Sequence, residues 1–248
     1  MEPFVVLLPL FGALLAMPVG RMMGARAAEL TTIGFMLLSA LIAWILFFDV
    51  ALGGDARTIR LFTWIGSGNF IADWAVKLDT MSAIMLIVVT TVSSLVHIYS
   101  VGYMHDDKSR PRFFAYLSLF TFAMLTLVTA DNFIQLFFGW EGVGLASYLL
   151  IGFYHHKKSA NDAAIKAFVV NRVGDFGFAL GIMAIFFVFG TVSFEEVFQA
   201  ISTDAVVTPF RALDSAPISQ LSVEFLGKDV HALTLIAILL FIGACGKS

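Results

Sequence analysis

The sequence predicts an all-α polytopic membrane protein carrying a small external β-hairpin. Three observations lead there. Apolar residues make up 59% of the 248 positions and charged residues only 13%, against about 45–50% and 25% in soluble domains. Apolar runs of about 20 residues, the length needed to cross the hydrocarbon core, recur along the chain. The basic residues collect in short connections between alternate runs, as the positive-inside rule describes.

Seven spans follow, at 3–22, 28–49, 80–103, 112–130, 132–153, 162–190 and 230–248. The first is read as a span and not a signal peptide, because its leading charge is Glu2 and its basic residues, Arg21 and Arg26, follow the apolar run. The connections at 21–27, 104–112 and 154–161 carry Arg21, Arg26, Lys108, Arg110, Arg112, Lys157 and Lys158. Those at 50–79 and 191–229 are longer, sparser in Arg57, Arg60, Lys77, Arg211 and Lys228, and rich in acids such as Asp55, Asp73, Glu195, Asp204 and Asp214. The expected topology has the short basic loops in the cytoplasm and the N-terminus outside. The last span breaks off at Gly243-Ala244-Cys245-Gly246-Lys247-Ser248 with no polar stop, so further helices are expected beyond it.

Two external segments interrupt the helical pattern. At 56–78, two aromatic and β-branched runs flank Gly66-Ser67-Gly68-Asn69, which predicts the hairpin. At 193–202, Ser193 as N-cap, Glu196 three residues on, and an apolar face of Phe194, Val197, Phe198 and Ile201 predict an amphipathic helix.

Composition also excludes function classes. A net charge of −3 argues against nucleic acid as a partner. The single cysteine, Cys245, cannot form a disulfide within the chain or supply the ligands of an iron–sulfur cluster or zinc finger. Any electron carrier must sit on another polypeptide.

The chemistry therefore lies in ionisable groups inside the spans. Glu141 occupies the middle of the fifth, where a carboxylate costs roughly 2.5 to 3.5 kcal/mol, and no cation lies within four residues of it. Its partner must come from another helix. A desolvated carboxylate favours its proton and an approaching lysine favours its charge, so such a pair is a proton switch. In the sixth span Arg172 and Asp175 are three apart and share a helix face, which fits either a local ion pair or a proton-carrying role. Lys166 lies more than a turn nearer the cytoplasm, where a lysine can snorkel. Lys247, close to Gly243 and Gly246, stands where the helix is expected to be locally broken. His97, near the end of the third span, reads first as a hydrogen-bonded or interfacial histidine and second as a proton relay. His155 and His156 adjoin Lys157 and Lys158 as a polar turn. Gly177 and Gly181 form a small-xxx-small pair suited to close helix packing.

Phe137-Phe138-Gly139-Trp140-Glu141-Gly142-Val143-Gly144, continuing to Ser147-Tyr148-Leu149-Leu150-Ile151-Gly152-Phe153-Tyr154, resembles the fifth-helix signature of the antiporter-like L-subunit family of NADH–quinone oxidoreductase, respiratory complex I. Asn171-Arg172-Val173-Gly174-Asp175 is similar to its sixth helix, Val96-His97-Ile98-Tyr99-Ser100 to the end of its third, and Gly243 to Ser248 to the start of its Gly-Lys-Ser motif in helix seven. The resemblance implies an antiporter-like helical bundle and a proton half-channel whose input pair corresponds to Glu141 and Lys247, with Arg172 and Asp175 as supporting charges. It implies no cofactor in this chain. NADH, FMN, iron–sulfur clusters and quinone belong to partner subunits, namely the peripheral arm and other membrane-arm subunits. It implies a bacterial cytoplasmic membrane, and a protein about twice this long with an inverted repeat. The same bundle and charged pair also occur in the large subunit of multi-subunit Na⁺/H⁺ antiporters; the run Trp140-Glu141-Gly142-Val143-Gly144 favours complex I. A structural scaffold with vestigial charges is the weakest alternative, since Glu141 argues against it.

Overall fold

The computed structural model describes residues 1–68, 70–207, 216–225 and 227–247. Asn69 of the expected hairpin turn, Arg211 and Asp214 of the second external loop, and Ser248 lie outside the described residues. Helices dominate, and among the described residues six are long and apolar enough to cross a membrane. These are α1 (Glu2–Met23), α2 (Ala25–Phe47, continued by a π-helical turn at Phe48–Leu52), α3 (Thr80–Tyr103), α4 (Arg110–Val128), α5 (Phe133–Ile151) and α6 (Lys158–Phe189). α7 (Phe194–Ser202) is short, and the apolar α8 (Ala232–Lys247) has 16 residues. The strands β1 (Arg57–Ser67) and β2 (Phe70–Leu78) form the hairpin, turning through Gly68 at φ +57°.

The chain divides into two compact units. The first comprises Met1–Arg60, Ala75–Ala130 and Phe138–Ile165. In it α1 packs on α2 and α4, α2 on α3, and α4 on both α2 and α3. Gly24, at φ +91°, ends α1 and starts α2 in a conformation a residue with a side chain adopts at a cost. Asp79 starts α3 by accepting the Ser82 N–H at 2.7 Å. Val5, Leu46, Val50, Val76, Leu78, Leu86 and Leu125 form the core. Leu14, Leu41, Met81 and Leu95 stay exposed, as on helices whose outer face meets lipid. Hydroxyls inside the bundle find acceptors: Ser39 donates to Val5 O at 2.6 Å and Thr90 to Leu86 O at 2.7 Å. Without water in the bilayer, such groups must be satisfied internally. At one end Arg57 ties the base of the hairpin to Glu2 (3.0 Å) and Asp49 (2.8 Å), and these hydrogen bonds hold its pKa above the ordinary arginine value.

The second unit comprises Leu61–Trp74, Asp131–Phe137 and Lys166–Ser248. Its core joins Phe178, Ile182, Ile185 and Val188 of α6 to Phe133, Val197, Leu221 and Ile236. Asn132 fixes the start of α5, accepting the Gln135 N–H and donating to Asp73 O, each at 2.8 Å.

Two expectations for the second external segment change here. Ser193 stands at the N-cap of α7, but its side chain makes no capping bond; separately, the Phe194 N–H donates to Asp131 O at 3.2 Å. Of the apolar face only Val197 is buried, while Phe198 is 60% exposed. The segment also forms strands the sequence did not announce. β3 (Val206–Val207) pairs antiparallel with β4 (Ala216–Pro217), and β5 (Ser222–Phe225) with β6 (Lys228–His231). Runs of two to four residues are too short to display an alternating pattern.

Candidate functional site

In the second unit, α6 and α8 meet along glycines. A Cβ on Gly174 would stand 2.8 Å from Gly246 Cα, and one on Gly243 would stand 2.6 Å from the Phe178 Cβ. Gly177 and Gly181 are equally tight against Ile242 and Leu240. This is close packing through small residues, the means by which helices approach in lipid. α8 runs helical through Gly243 and Gly246 to Lys247, so the expected local break is absent among the described residues.

That approach brings three charged side chains together. Lys247 Nζ lies 3.7 Å from Asp175 Oδ1, and Arg172 Nη1 lies 3.9 Å from Asp175 Oδ2. The side chains of Asp175 and Lys247 are 5% and 16% exposed, while Arg172 is 42% exposed. The Arg172 guanidinium also covers the Phe168 ring at 4.7 Å. Asp175 is therefore a buried carboxylate between two cations, and Lys247 is the more enclosed of them. Lys166 sits nine residues earlier on α6, roughly 13 Å along the axis. It is exposed and has no ion pair among the described residues.

Glu141 and His97 belong to the first unit. Glu141 is half-buried on α5, between two glycines that fix the helix against α4. A Cβ on Gly139 would come 2.7 Å from the Leu127 backbone, and one on Gly142 2.9 Å from the Ala123 Cβ. The glycines of Gly139-Trp140-Glu141-Gly142 thus set how closely the backbone around the carboxylate approaches α4. His97 is fully buried on α3. Its Nδ1 lies 2.8 Å from Ser93 O, and its Nε2 lies 3.0 Å from Ser118 Oγ of α4. A carbonyl only accepts, so Nδ1 carries the proton and Nε2 is left to accept from the serine. Both nitrogens are satisfied in the neutral ring.

The structure adds a pair that the sequence reading passed over. Arg110 Nη1 lies 3.0 Å from Glu29 Oε1, with side chains 19% and 4% exposed. The oxygen is not in hydrogen-bonding alignment, so the contact is Coulombic. An acid at the second residue of the 28–49 span is the available signal, and Arg110 stands among the loop charges in the sequence. Among the described residues no cluster of histidine, cysteine and carboxylate side chains could hold a metal ion.

Known proteins are similar to this chain along most of its length. The family model described as NADH-Ubiquinone oxidoreductase (complex I), chain 5 N-terminus, matches residues 64–114. The one described as NADH:quinone oxidoreductase/Mrp antiporter, TM, matches residues 130–248. NADH-quinone oxidoreductase subunit L of Rhodobacter capsulatus is 49% identical, over 100% of this chain and 34% of the relative. NADH-ubiquinone oxidoreductase chain 5 of Marchantia polymorpha is 50% identical, over 98% and 35%. The chain thus spans about a third of the length of these relatives. Among solved structures, the Mrp complex from Dietzia sp. DQ12-45-1b superposes with a TM-score of 0.76 at 20% identity, covering 100% of this chain and 24% of that one. The membrane-bound sulfane sulfur reductase, an archaeal respiratory membrane complex, gives 0.74 at 17%, covering 98% and 43%. These two show a shared antiporter-like fold.

Proposed function

Since the chain belongs to the antiporter-like subunit L (chain 5) family of NADH–quinone oxidoreductase, we propose that it works as a proton-translocating part of the membrane arm of that enzyme. Redox chemistry then takes place on partner subunits carrying NADH, FMN, iron–sulfur clusters and quinone. The peripheral arm and other antiporter-like subunits are the partners, in a bacterial cytoplasmic membrane with the N-terminus outside.

The observation that carries the reading is the Lys247–Asp175 contact at 3.7 Å, enclosed between two glycine-packed apolar helices. Ionisable groups at such depth are expensive, and charge movement is the use that accounts for them. Lys247 and Asp175 stand as a buried pair of opposite charges. If Lys247 is drawn away, Arg172 remains as the more exposed counter-ion. Asp175 therefore keeps a counter-ion while the lysine changes partner. The resemblance supplies the other state, in which the lysine's charge acts on Glu141 and sets whether that carboxylate holds or releases a proton. Drive from the redox arm consists of shifting the balance between these states.

Inverted vesicles bearing the full-length protein with Glu141→Gln, followed for NADH oxidation and NADH-driven acidification together, test the reading. It expects acidification to fall at least as far as oxidation. Unchanged oxidation and acidification, with loss of sodium-driven pH exchange, would instead identify an antiporter subunit, a role to which the Mrp fold likeness also lends itself.

A further inference from the structure

Where α1 finishes and α4 begins, the first unit contains a cavity of about 350 Å³. Met17, Gly20 and Pro111 form an apolar side, and Arg21, Lys108 and Arg112 supply three cations. No carboxylate lines it. The closeness of the helices depends on Gly20, where a Cβ would stand 2.8 Å from the Pro111 ring.

The nearest acids in sequence lie outside the lining, although Asp107 holds Ser109 at its edge. Glu29 faces Arg110 at 3.0 Å, Asp106 faces His105 at 3.0 Å, and Asp107 accepts the Ser109 N–H at 2.6 Å. Arg21 and Lys108 have no ion pair among the described residues. Arg112 is held in place, with Nη2 donating to Phe153 O at 3.0 Å and its guanidinium 4.7 Å above the Phe153 ring. One cation is therefore fixed and two are adjustable around a single space. Like charges gathered without an acid are stabilised by an anion, and guanidinium and ammonium groups suit phosphate oxygens. The apolar side makes the site amphipathic. It opens where an apolar helix gives way to basic residues, the level at which lipid phosphates lie.

We propose that this cavity holds the phosphate of an anionic phospholipid, with the cations on the phosphate oxygens and the glycerol and first acyl carbons against Met17 and Pro111. A bound lipid clamps the end of α1 to the start of α4. The inference is independent of the proton-carrying role of Glu141 and Lys247.

The test uses the assembled complex with the full-length protein, stripped of lipid and returned to phosphatidylcholine vesicles. Spin-labelled phosphatidylglycerol or spin-labelled phosphatidylcholine is added in trace amount, and the motionally restricted fraction is read by electron paramagnetic resonance. The wild type should retain phosphatidylglycerol in excess. In Arg21→Gln/Lys108→Gln the preference should fall about fivefold for each cation removed. Arg21→Lys/Lys108→Arg keeps the charges and should keep the preference, separating a lost site from a misfolded chain. Lys157→Gln/Lys158→Gln removes two charges from the start of α6 and the residue before it, and should leave the preference unchanged. The proposal is overturned if the wild type shows no preference or if Arg21→Gln/Lys108→Gln retains it. It is also overturned if Lys157→Gln/Lys158→Gln loses as much, which means a diffuse surface field. Displacement of the labelled lipid by inorganic phosphate, at matched ionic strength against chloride, overturns it in favour of a site for free phosphate.

Discussion

Asp175 has two cations at nearly equal distance, 3.7 Å to Lys247 and 3.9 Å to Arg172. Neither contact is a tight hydrogen-bonded bridge. A carboxylate shared in this way lets one cation leave without being stranded, which a mobile charge requires. Glu29 differs: its ion-pair partner is Arg110, and it is almost fully buried. Arg110→Ala should therefore destabilise the protein by about 3–5 kcal/mol, because it strands a buried charge. Glu29→Leu combined with Arg110→Met should recover most of that loss in thermal unfolding. At this scale the sequence was informative where a charge interrupts an apolar run, as at Glu141 and Asp175. It was uninformative about partners. Lys247 and Asp175 are far apart in the chain, and their contact depends on helix packing. Glu29 escaped notice because an acid near a span's end resembles an interfacial one.

At the scale of elements, glycine positions control the site. α6 and α8 approach as closely as Gly174 and Gly246 allow, and that distance sets how Lys247 reaches Asp175. Gly246→Ala would put a methyl 2.7 Å from Gly174 Cα, a backbone atom that cannot rotate aside. The expected cost is about 1–3 kcal/mol of stability, read as a lower unfolding temperature of the full-length protein in detergent. Gly34 on α2 has nothing within 4 Å of its would-be Cβ, so Gly34→Ala should not lower it. The long helices were legible from length and composition, and the hairpin from its aromatic runs around a glycine turn. β3 to β6 were not, being two to four residues each. Nor was the Asp131 O bond to the Phe194 N–H, which joins residues distant in sequence.

For the whole molecule, the decisive feature is that, among the described residues, six helices are long and apolar enough to cross a membrane and that charged groups interrupt the apolar helices. The basic loops predict its orientation. Lys158→Cys, in a background free of other reactive cysteines, should react with an impermeant maleimide in inverted vesicles but not in right-side-out ones, and Asp55→Cys should do the reverse. The opposite labelling would place the N-terminus inside. The central claim is that the charges on α5, α6 and α8 move protons as part of a redox-driven pump. It is tested most directly by the number of protons taken up per NADH oxidised, measured in inverted vesicles bearing the full-length protein with Lys247→Ala. The account predicts a lower ratio, with Asp175→Asn added to Lys247→Ala costing less than the two separate losses combined. A ratio equal to that of the wild type would contradict it.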